Sequence, residues 1–565
     1  SLSNDPLLII DGVRVNNSSG SSSLGVGGQA PSRFDDLNPD DIETIEVLKG
    51  PAGVALYGIQ AANGVIQVTT KRGKTGKARW NFFAEGGRIT DPSEYPLNYS
   101  QIGINPANNA RVAGCTIDLQ ARGGCSVRAT DTLYSFTPLT VPGISPLRDG
   151  TRQQYGMNVS GGTDVVRYYV GGDFDREFGV VGNNSMRRIN TRANFNITPN
   201  EKINIDISTG YLNSTLRLPQ NDNNALGAIS GGLLGRARDC GGPAGSPLRA
   251  GCVGADTASR GYFNANLPAS VFFGIDNQQE IQRFTSSVNV QYRPTNWLTA
   301  TGVQGLDILS RFDSELIPTG QVPFNADFLA GQRAANRFNI NTYTSIGTLT
   351  AAYDLIGSWK ARSSASIQYT ADIFRGSNAF GIGLIPGTGS LGAASRNFAV
   401  NETNQPFYTI GYVGRQQLEW KDRLFLEGGV RADDNSAFGV NIGLRANPFV
   451  AGSYVISEES WFPKSHALQS LRFRGALGRN ATRPGFRDAV TTLAAVTVTA
   501  ARTSSSASTS TSLRSTTSSS RSARASSRSS SVPRSASSAA SPPRATGSAR
   551  SSRPATSTTT ASSAA

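Results

Sequence analysis

From 189 to 197 the side chains alternate without a break, with Ile189, Thr191, Ala193, Phe195 and Ile197 on one face and Asn190, Arg192, Asn194 and Asn196 on the other. A period of two belongs to an extended strand, and a strand patterned like this has one apolar wall and one wet wall. The dyad recurs in 203–207, 361–373, 423–431 and 471–477, so the chain is mainly β. Tight turns are expected near 161–164, 198–201, 293–296, 355–358 and 420–422. Between these hairpins stand long polar segments, 88–151, 216–278, 312–336 and 374–405, far above the ~4–6 residues of an ordinary loop. Short connections alternating with long ones are what a transmembrane antiparallel β-barrel requires, with the long loops outside. A soluble β-sandwich alternates too, but it does not segregate loop lengths in this way.

Composition narrows the partners. No run of about 18 apolar residues exists to form a membrane helix, which leaves strands as the only means of crossing. The formal charge of +14 invites a nucleic-acid reading, but nine arginines lie after residue 500 with no acid among them, leaving +5 (14 less 9) for the rest. The folded part is nearly balanced, and no nucleic-acid partner is expected. Cys115/Cys125 and Cys240/Cys252 are two local pairs in Gly- and Arg-rich segments, as loop disulfides of an oxidising compartment would be. Metal binding is the competing idea, disfavoured because there is no Cys-x-x-Cys knuckle and the one histidine, His466, is far away in sequence. Trp80, Trp297, Trp359, Trp420 and the pair Tyr168-Tyr169 sit where strands meet turns, as an interfacial aromatic girdle would, and ordinary strand packing is the alternative for each of them.

Before the strands lies a small α/β element. Pro6 to Ile10 and Val13 to Val15 flank Asp11-Gly12, which favours a tight hairpin. Asn38 and Pro39 can open a short helix, with Asp40, Asp41 and Glu43 at its positive end. A strand-like stretch from Glu46 to Lys49 stops at Gly50-Pro51, and a second helical turn around Val54 to Tyr57 leads through Asn63-Gly64 into the β-branched run 65–70. None of these residues looks catalytic.

Four ordered blocks here resemble the plug domain of TonB-dependent outer-membrane receptors of the SusC/RagA type. They are Asp11-Gly12-Val13, the run Ile42-Glu43-Thr44-Ile45-Glu46-Val47-Leu48-Lys49-Gly50-Pro51, Leu56-Tyr57-Gly58, and Ala61-Ala62-Asn63-Gly64-Val65-Ile66. Residues 416–439, 453–460 and 471–478 resemble barrel strands of the same receptors. The resemblance implies a plug over 1–75 and a partial barrel over 76–490, with about thirteen of 22 strands present. It further implies a transporter of the bacterial outer membrane, set in outer-membrane lipid, rather than an enzyme. TonB with its inner-membrane motor would act on the plug, a SusD-like surface lipoprotein would form a lid, and an oligosaccharide or peptide would be the cargo; no cofactor is implied. Ser1 has no charged and apolar leader before it, so the chain reads as an internal fragment.

Several readings stay open beside this one. Tyr95, Tyr99 and Tyr134 in the first long loop can stack on sugars or pack within the loop. Asp433-Asp434 and Glu458-Glu459 invite an acid/base or cation reading, but adjacent carboxylates on a strand face opposite ways, and solvated loop-base charges are favoured. Residues 491–565 are almost wholly Ser, Ala, Thr, Arg and Pro and are expected to be disordered; an out-of-frame translation, an O-glycosylated stalk and a nucleic-acid-binding arm are the explanations for such a tail. An incomplete barrel would leave two unpaired edges that lipid cannot satisfy, so the chain by itself is not expected to insert. A secreted glycan-binding protein or glycoside hydrolase and a surface adhesin barrel are the competing classes. The segment 36–74 argues against both.

Overall fold

The computed structural model of the chain describes residues 5–20, 31–48, 57–58, 61, 63–113, 115–128, 133–140, 142, 145–220, 227–234, 273–322, 325–438, 443–463, 469–479, 492–500 and 508–516. Strands β1 (Leu7–Ile10) and β2 (Val13–Val15) form the expected hairpin. Its turn residues Asp11 (φ 48°) and Gly12 (φ 86°) both adopt the left-handed conformation that a two-residue hairpin turn demands. With β3 (Ile42–Leu48) and β4 (Val65–Thr70) they make a sheet of order β2-β1-β4-β3 in which β1 and β4 run parallel.

Both faces of this sheet are covered. Leu7, Ile9, Ala61 and Val65 pack with Leu48 and Tyr57 on one side, while Leu8, Ile10, Val15 and Val68 pack with Phe34, Leu37 and Ile42 on the other. That double burial is why β1 reads as a continuous apolar run rather than an alternating one. The helix expected after Asn38 is a single 3-10 turn, Pro39–Asp41, capped by the Asn38 side chain accepting from the Asp40 N–H at 3.0 Å. The strand that follows begins at Ile42, earlier than the pattern suggested. Lys49, Gly50, Pro51 and most of the second helical turn lie outside the described residues.

The rest of this unit is dominated by one antiparallel sheet of 13 strands. It starts with β5 (Gly76–Ile89). A small loop sheet follows, formed by β6 (Asn98–Ile104), β7 (Arg111–Ala113) and β8 (Leu133–Phe136). Cys115 and Cys125 form a disulfide beside it, with their Cα atoms 5.9 Å apart; Cys240 and Cys252 lie outside the described residues. The wall continues with β9 (Gly150–Gly162), β10 (Val166–Phe178), β11 (Ser185–Asn200) and β12 (Ile203–Arg217). Then come β13 (Asp276–Tyr292), β14 (Leu298–Ile317), β15 (Gln332–Asp354) and β16 (Trp359–Ile382). It ends with β17 (Arg396–Trp420), β18 (Leu424–Asn435), β19 (Arg445–Val455) and β20 (Arg472–Gly478). Each strand pairs with its neighbour in sequence, except that β5 pairs with β9. The outermost strands, β5 and β20, each keep one edge unpaired among the described residues.

The five tight turns fall at 163–165, 201–202, 293–297, 355–358 and 421–423, all at one end of the sheet. Lys421 (φ 51°) and Asp422 (φ 56°) make the last of them a left-handed pair. Two of the long connections are shorter than their composition suggested, because the strands continue through polar sequence to leave only 318–331 and 383–395. Asp313 and Glu315, for example, are buried strand residues that accept from Gln279 Nε2 (2.9 Å) and Gln220 Nε2 (2.7 Å). Polarity here marks the inner face of a strand rather than a loop.

Sidedness of the wall is inverted relative to a soluble sheet. In β11, Arg188, Asn190 and Asn194 are buried while Ile189 and Phe195 are exposed. The same holds for exposed Val170, Tyr211, Val288, Leu349, Ile367 and Val430 on the neighbouring strands. An apolar outer band with a polar interior is the signature of a wall facing hydrocarbon. At its turn end Trp359 and Trp420 lie 6.2 Å apart, and exposed Trp80 stacks on Phe82. Tyr169 is no part of such a girdle, since it points inward and is buried.

A second unit, from Leu493 onward, holds all but the first residue of β21 (Thr492–Ala500) and the whole of β22 (Ser508–Thr516), which make a two-stranded sheet within the segment expected to lack order. Its alternating Val and Thr residues supply the local strand preference.

Candidate functional site

The four-stranded element lies against the inner face of the wall, and the contacts between them are almost all polar. Asp11, which shapes the β1–β2 turn, accepts from Thr70 N (3.0 Å) and Thr70 Oγ1 (2.7 Å) within the plug and from Ser208 Oγ (2.7 Å) on β12. Arg192 on β11 stands 3.8 Å from Asp11 and donates to Asp41 Oδ2 at 3.4 Å. Tyr169 Oη donates to the other oxygen of Asp41 at 3.0 Å. Asp41 therefore does not merely solvate a helix end; it is buried and held by two wall residues. Asn38 joins the same row by donating to Asp173 Oδ1 at 2.6 Å, and Asn194 donates to Thr70 Oγ1 (2.8 Å) and to the Lys71 carbonyl (2.7 Å).

Further along, Arg283 of β13 is the centre of the interface. Its guanidinium donates to Asp307 at 2.8 and 3.0 Å on the wall, and to Asp36 Oδ2 (3.1 Å) and the Asn16 carbonyl (2.6 Å) on the plug. Leu212 and Leu309 are its cross-strand partners and belong to a buried apolar cluster. They keep the group dry, which strengthens each of its contacts. Burial raises the Asp36 carboxyl above its ordinary range even with Arg283 and Arg33 beside it. Arg14 on β2 pairs with Asp372 on β16 at 2.6 Å, and Arg33 donates to Gln279 at 2.9 Å.

Two glycines permit the close approach. A Cβ on Gly305 of β14 would stand 2.3 Å from Val13 Cγ2, and one on Gly58 (φ 79°) would stand 2.5 Å from Arg431 Nη2. Gly305→Val should loosen the plug hairpin by the ~1–3 kcal/mol typical of overpacking. The check is faster hydrogen exchange in 7–15, with exchange in β15 to β18 unchanged.

The Asp433-Asp434 pair splits between the two faces, as alternation requires, but Asp433 is not a solvated loop-base charge. It is 0% exposed and accepts from Arg431 Nε through both oxygens, at 2.8 and 2.9 Å, while Arg431 Nη1 donates to Gln368. Glu459 accepts from Arg423 (2.9 Å) and Tyr454. Of the remaining signature residues, Glu43, Ile45, Glu46 and Val47 are exposed on β3, the outer strand of the plug sheet, and Ile42 begins that strand half-buried. Tyr57 donates to Gln67 at 3.2 Å, and burial with Glu46 nearby pushes its hydroxyl up. Asn63 donates to the Asp5 carbonyl at 3.4 Å, and Gly64 (φ 96°) turns the chain into β4.

Beyond the plug the inner face carries a cleft of about 770 Å³, lined by Asp354, Lys360, Arg362, Glu419, Glu427 and Arg474 among others. Charges of both signs stand there among Ala, Leu and Phe side chains. Of the loop tyrosines, Tyr95 donates to Asp91, and burial with that carboxylate beside it pushes its hydroxyl up to about 12. Tyr99 is exposed, and the side chain of Tyr134 lies outside the described set.

The plug is recognisable beyond its geometry. Residues 1–65 match the TonB-dependent Receptor Plug Domain family. SusC of Bacteroides thetaiotaomicron, a TonB-dependent receptor, is 47% identical over 76 residues, 14% of this chain and 7% of that protein. TonB-dependent receptor P26 of Formosa agariphila is 22% identical over 509 residues, covering 85% of this chain and 46% of its own. Among solved structures, the RagAB peptide importer in its closed-closed state superposes with a TM-score of 0.64 at 18% identity, over 90% of this chain and 57% of that one. Residues 1–65 are thus a TonB-dependent receptor plug domain by sequence, and its seat against an inverted antiparallel wall is the arrangement found in the RagAB importer. The plug is similar in sequence to that of SusC, and plug and wall together share the fold of the RagAB importer. The chain spans less than half the length of P26, a curated relative that it matches over most of its own length.

Proposed function

We propose that this chain is the plug-bearing part of an outer-membrane importer for a large nutrient, an oligosaccharide or a peptide, energised by TonB and gated by the plug. The observation that carries the proposal is the seam itself. The plug is held by side-chain hydrogen bonds and ion pairs, such as Asp11–Ser208, Asp41–Arg192 and Asp36–Arg283, while its apolar clusters are internal to it. A seam of that kind can be hydrated and re-formed without exposing an apolar core, which suits a gate. The inner cleft adds charges of both signs for polar groups of such a passenger, and apolar side chains between them. By resemblance, the partners are TonB with its inner-membrane motor and a SusD-like surface lipoprotein as lid.

The test is uptake by the host of labelled oligosaccharides and peptides of graded size. Deleting the gene is expected to abolish uptake of one class, and removing TonB to abolish the same uptake. Unchanged uptake of every class in the deletion strain would sink the importer reading. Uptake that is lost with the gene but persists without TonB would sink the energy coupling alone.

A further inference from the structure

The outer face changes character abruptly near the long-connection end of β10 and β11. From the tight turn upward, β10 presents Val166, Tyr168, Val170, Gly172 and Phe174 outward, and β11 presents Ile197, Phe195, Ala193, Thr191 and Ile189. The next outward positions are Arg176 and Arg187, which are exposed and face each other directly across the ladder. Ten or so residues of strand are what a bilayer needs, so the arginine pair stands at the outer margin of the apolar band.

Two like charges directly opposed on one face are destabilising when nothing lies between them. Among the described residues, no carboxylate lies within salt-bridge distance of either guanidinium. Each is instead held over an aromatic ring, Arg176 4.8 Å from the centroid of Phe178 and Arg187 5.8 Å from that of Phe174. The same cross-strand row continues to Gln153 on β9 and Thr215 on β12, so two neutral hydrogen-bonding side chains flank the pair. Glu280 follows in that row one strand beyond Thr215, about two strand spacings, ~10 Å, from Arg187.

We infer that Arg176 and Arg187 form a binding site for the phosphate of a lipid headgroup in the outer leaflet. The two guanidinium groups rest over rings on either side of their rung, toward Phe178 and toward Phe174, and a phosphate seated between them would draw both forks off the rings onto its oxygens. The location selects a lipid over a free ion, because the acyl chains of a lipid whose phosphate sits here would lie along Val170, Phe174 and Ile189. The inference rests on the outward orientation of the long connections, but not on import.

The test uses the full chain in neutral detergent micelles carrying a diphosphorylated glycolipid such as lipid A, the same glycolipid stripped of both phosphates, or inorganic phosphate alone. The phosphorylated form is expected to bind about 10-fold more tightly than the stripped form. That difference should vanish in Arg176→Gln/Arg187→Gln and largely persist in the Arg176→Lys/Arg187→Lys variant. In micelles without added anion, the double Gln variant should melt no lower than the parent, because a repulsion has been removed. Equal affinity for both glycolipids, or a lower melting point of the Gln variant in neutral micelles, would overturn the inference. Displacement of the glycolipid by millimolar inorganic phosphate would overturn the choice of a lipid. Since the readout is binding, a receptor that imports nothing still gives it.

Discussion

Arg283→Met should detach the plug from its wall at a cost of about 3–5 kcal/mol, the range for removing one partner of a buried ion pair. The size of the effect follows from what is left behind. Asp307, 0% exposed on its strand, loses its counter-charge, Asp36 on the plug keeps only Arg33 at 3.3 Å, and the buried Leu212 and Leu309 border the gap. The expected measurement is a loss of hydrogen-exchange protection in 33–37 and at Asn16, with the ladder between β15 and β17 intact. The deficit should also depend on pH. Burial already raises the Asp36 carboxyl, and losing Arg283 raises it further, so the variant's folded state holds that proton more tightly than its unfolded state does. Such a group favours the fold at low pH and ceases to do so as pH rises from the ordinary carboxylate value through the raised one. The variant should therefore lie closest to the parent near pH 4 and fall progressively behind toward neutrality. A deficit independent of pH would show that Asp36 is not the stranded group.

Val170→Arg tests the other face. Val170 is 39% exposed in the middle of the outward apolar row of β10, where a soluble sheet would tolerate arginine within ~0.5 kcal/mol. In a lipid-facing wall, arginine near the midplane costs about 2–4 kcal/mol. With the substitution carried in the complete receptor folded into vesicles, urea titration should show that loss, whereas Asp164→Arg in the adjoining turn should change little. Equal stability of the two variants in lipid would mean that this face does not meet hydrocarbon.

Much of the wall is readable from local pattern because a strand's two faces are written into every second residue. The turn at 355–358 and the sidedness of 189–197 follow from a few consecutive side chains. The strand extents were not readable, since Asp313 and Glu315 have a loop's composition and a strand's geometry. The interface was least visible. Asp36 and Arg283 are partners across 247 residues, and nothing near either marks the other; Asp41 and Tyr169 had equally plausible local roles, in a helix terminus and an aromatic girdle. Asp433 looked like a surface charge because its neutralising Arg431 sits on the same strand face two residues away, a spacing easily passed over when only adjacent residues are compared.

The parallel pairing of β1 and β4 has a mechanical meaning. The plug is continuous with the wall through the segment just after β4, and any pull from the amino-terminal side enters at the start of β1. In a parallel pair those two points lie at opposite ends of the shared ladder. Tension between them therefore strains the β1–β4 hydrogen bonds together, in shear, instead of opening them one after another like a zip. A sheet loaded in shear is stiff, so traction on the amino terminus would be transmitted through it to the polar seam before the sheet itself gave way.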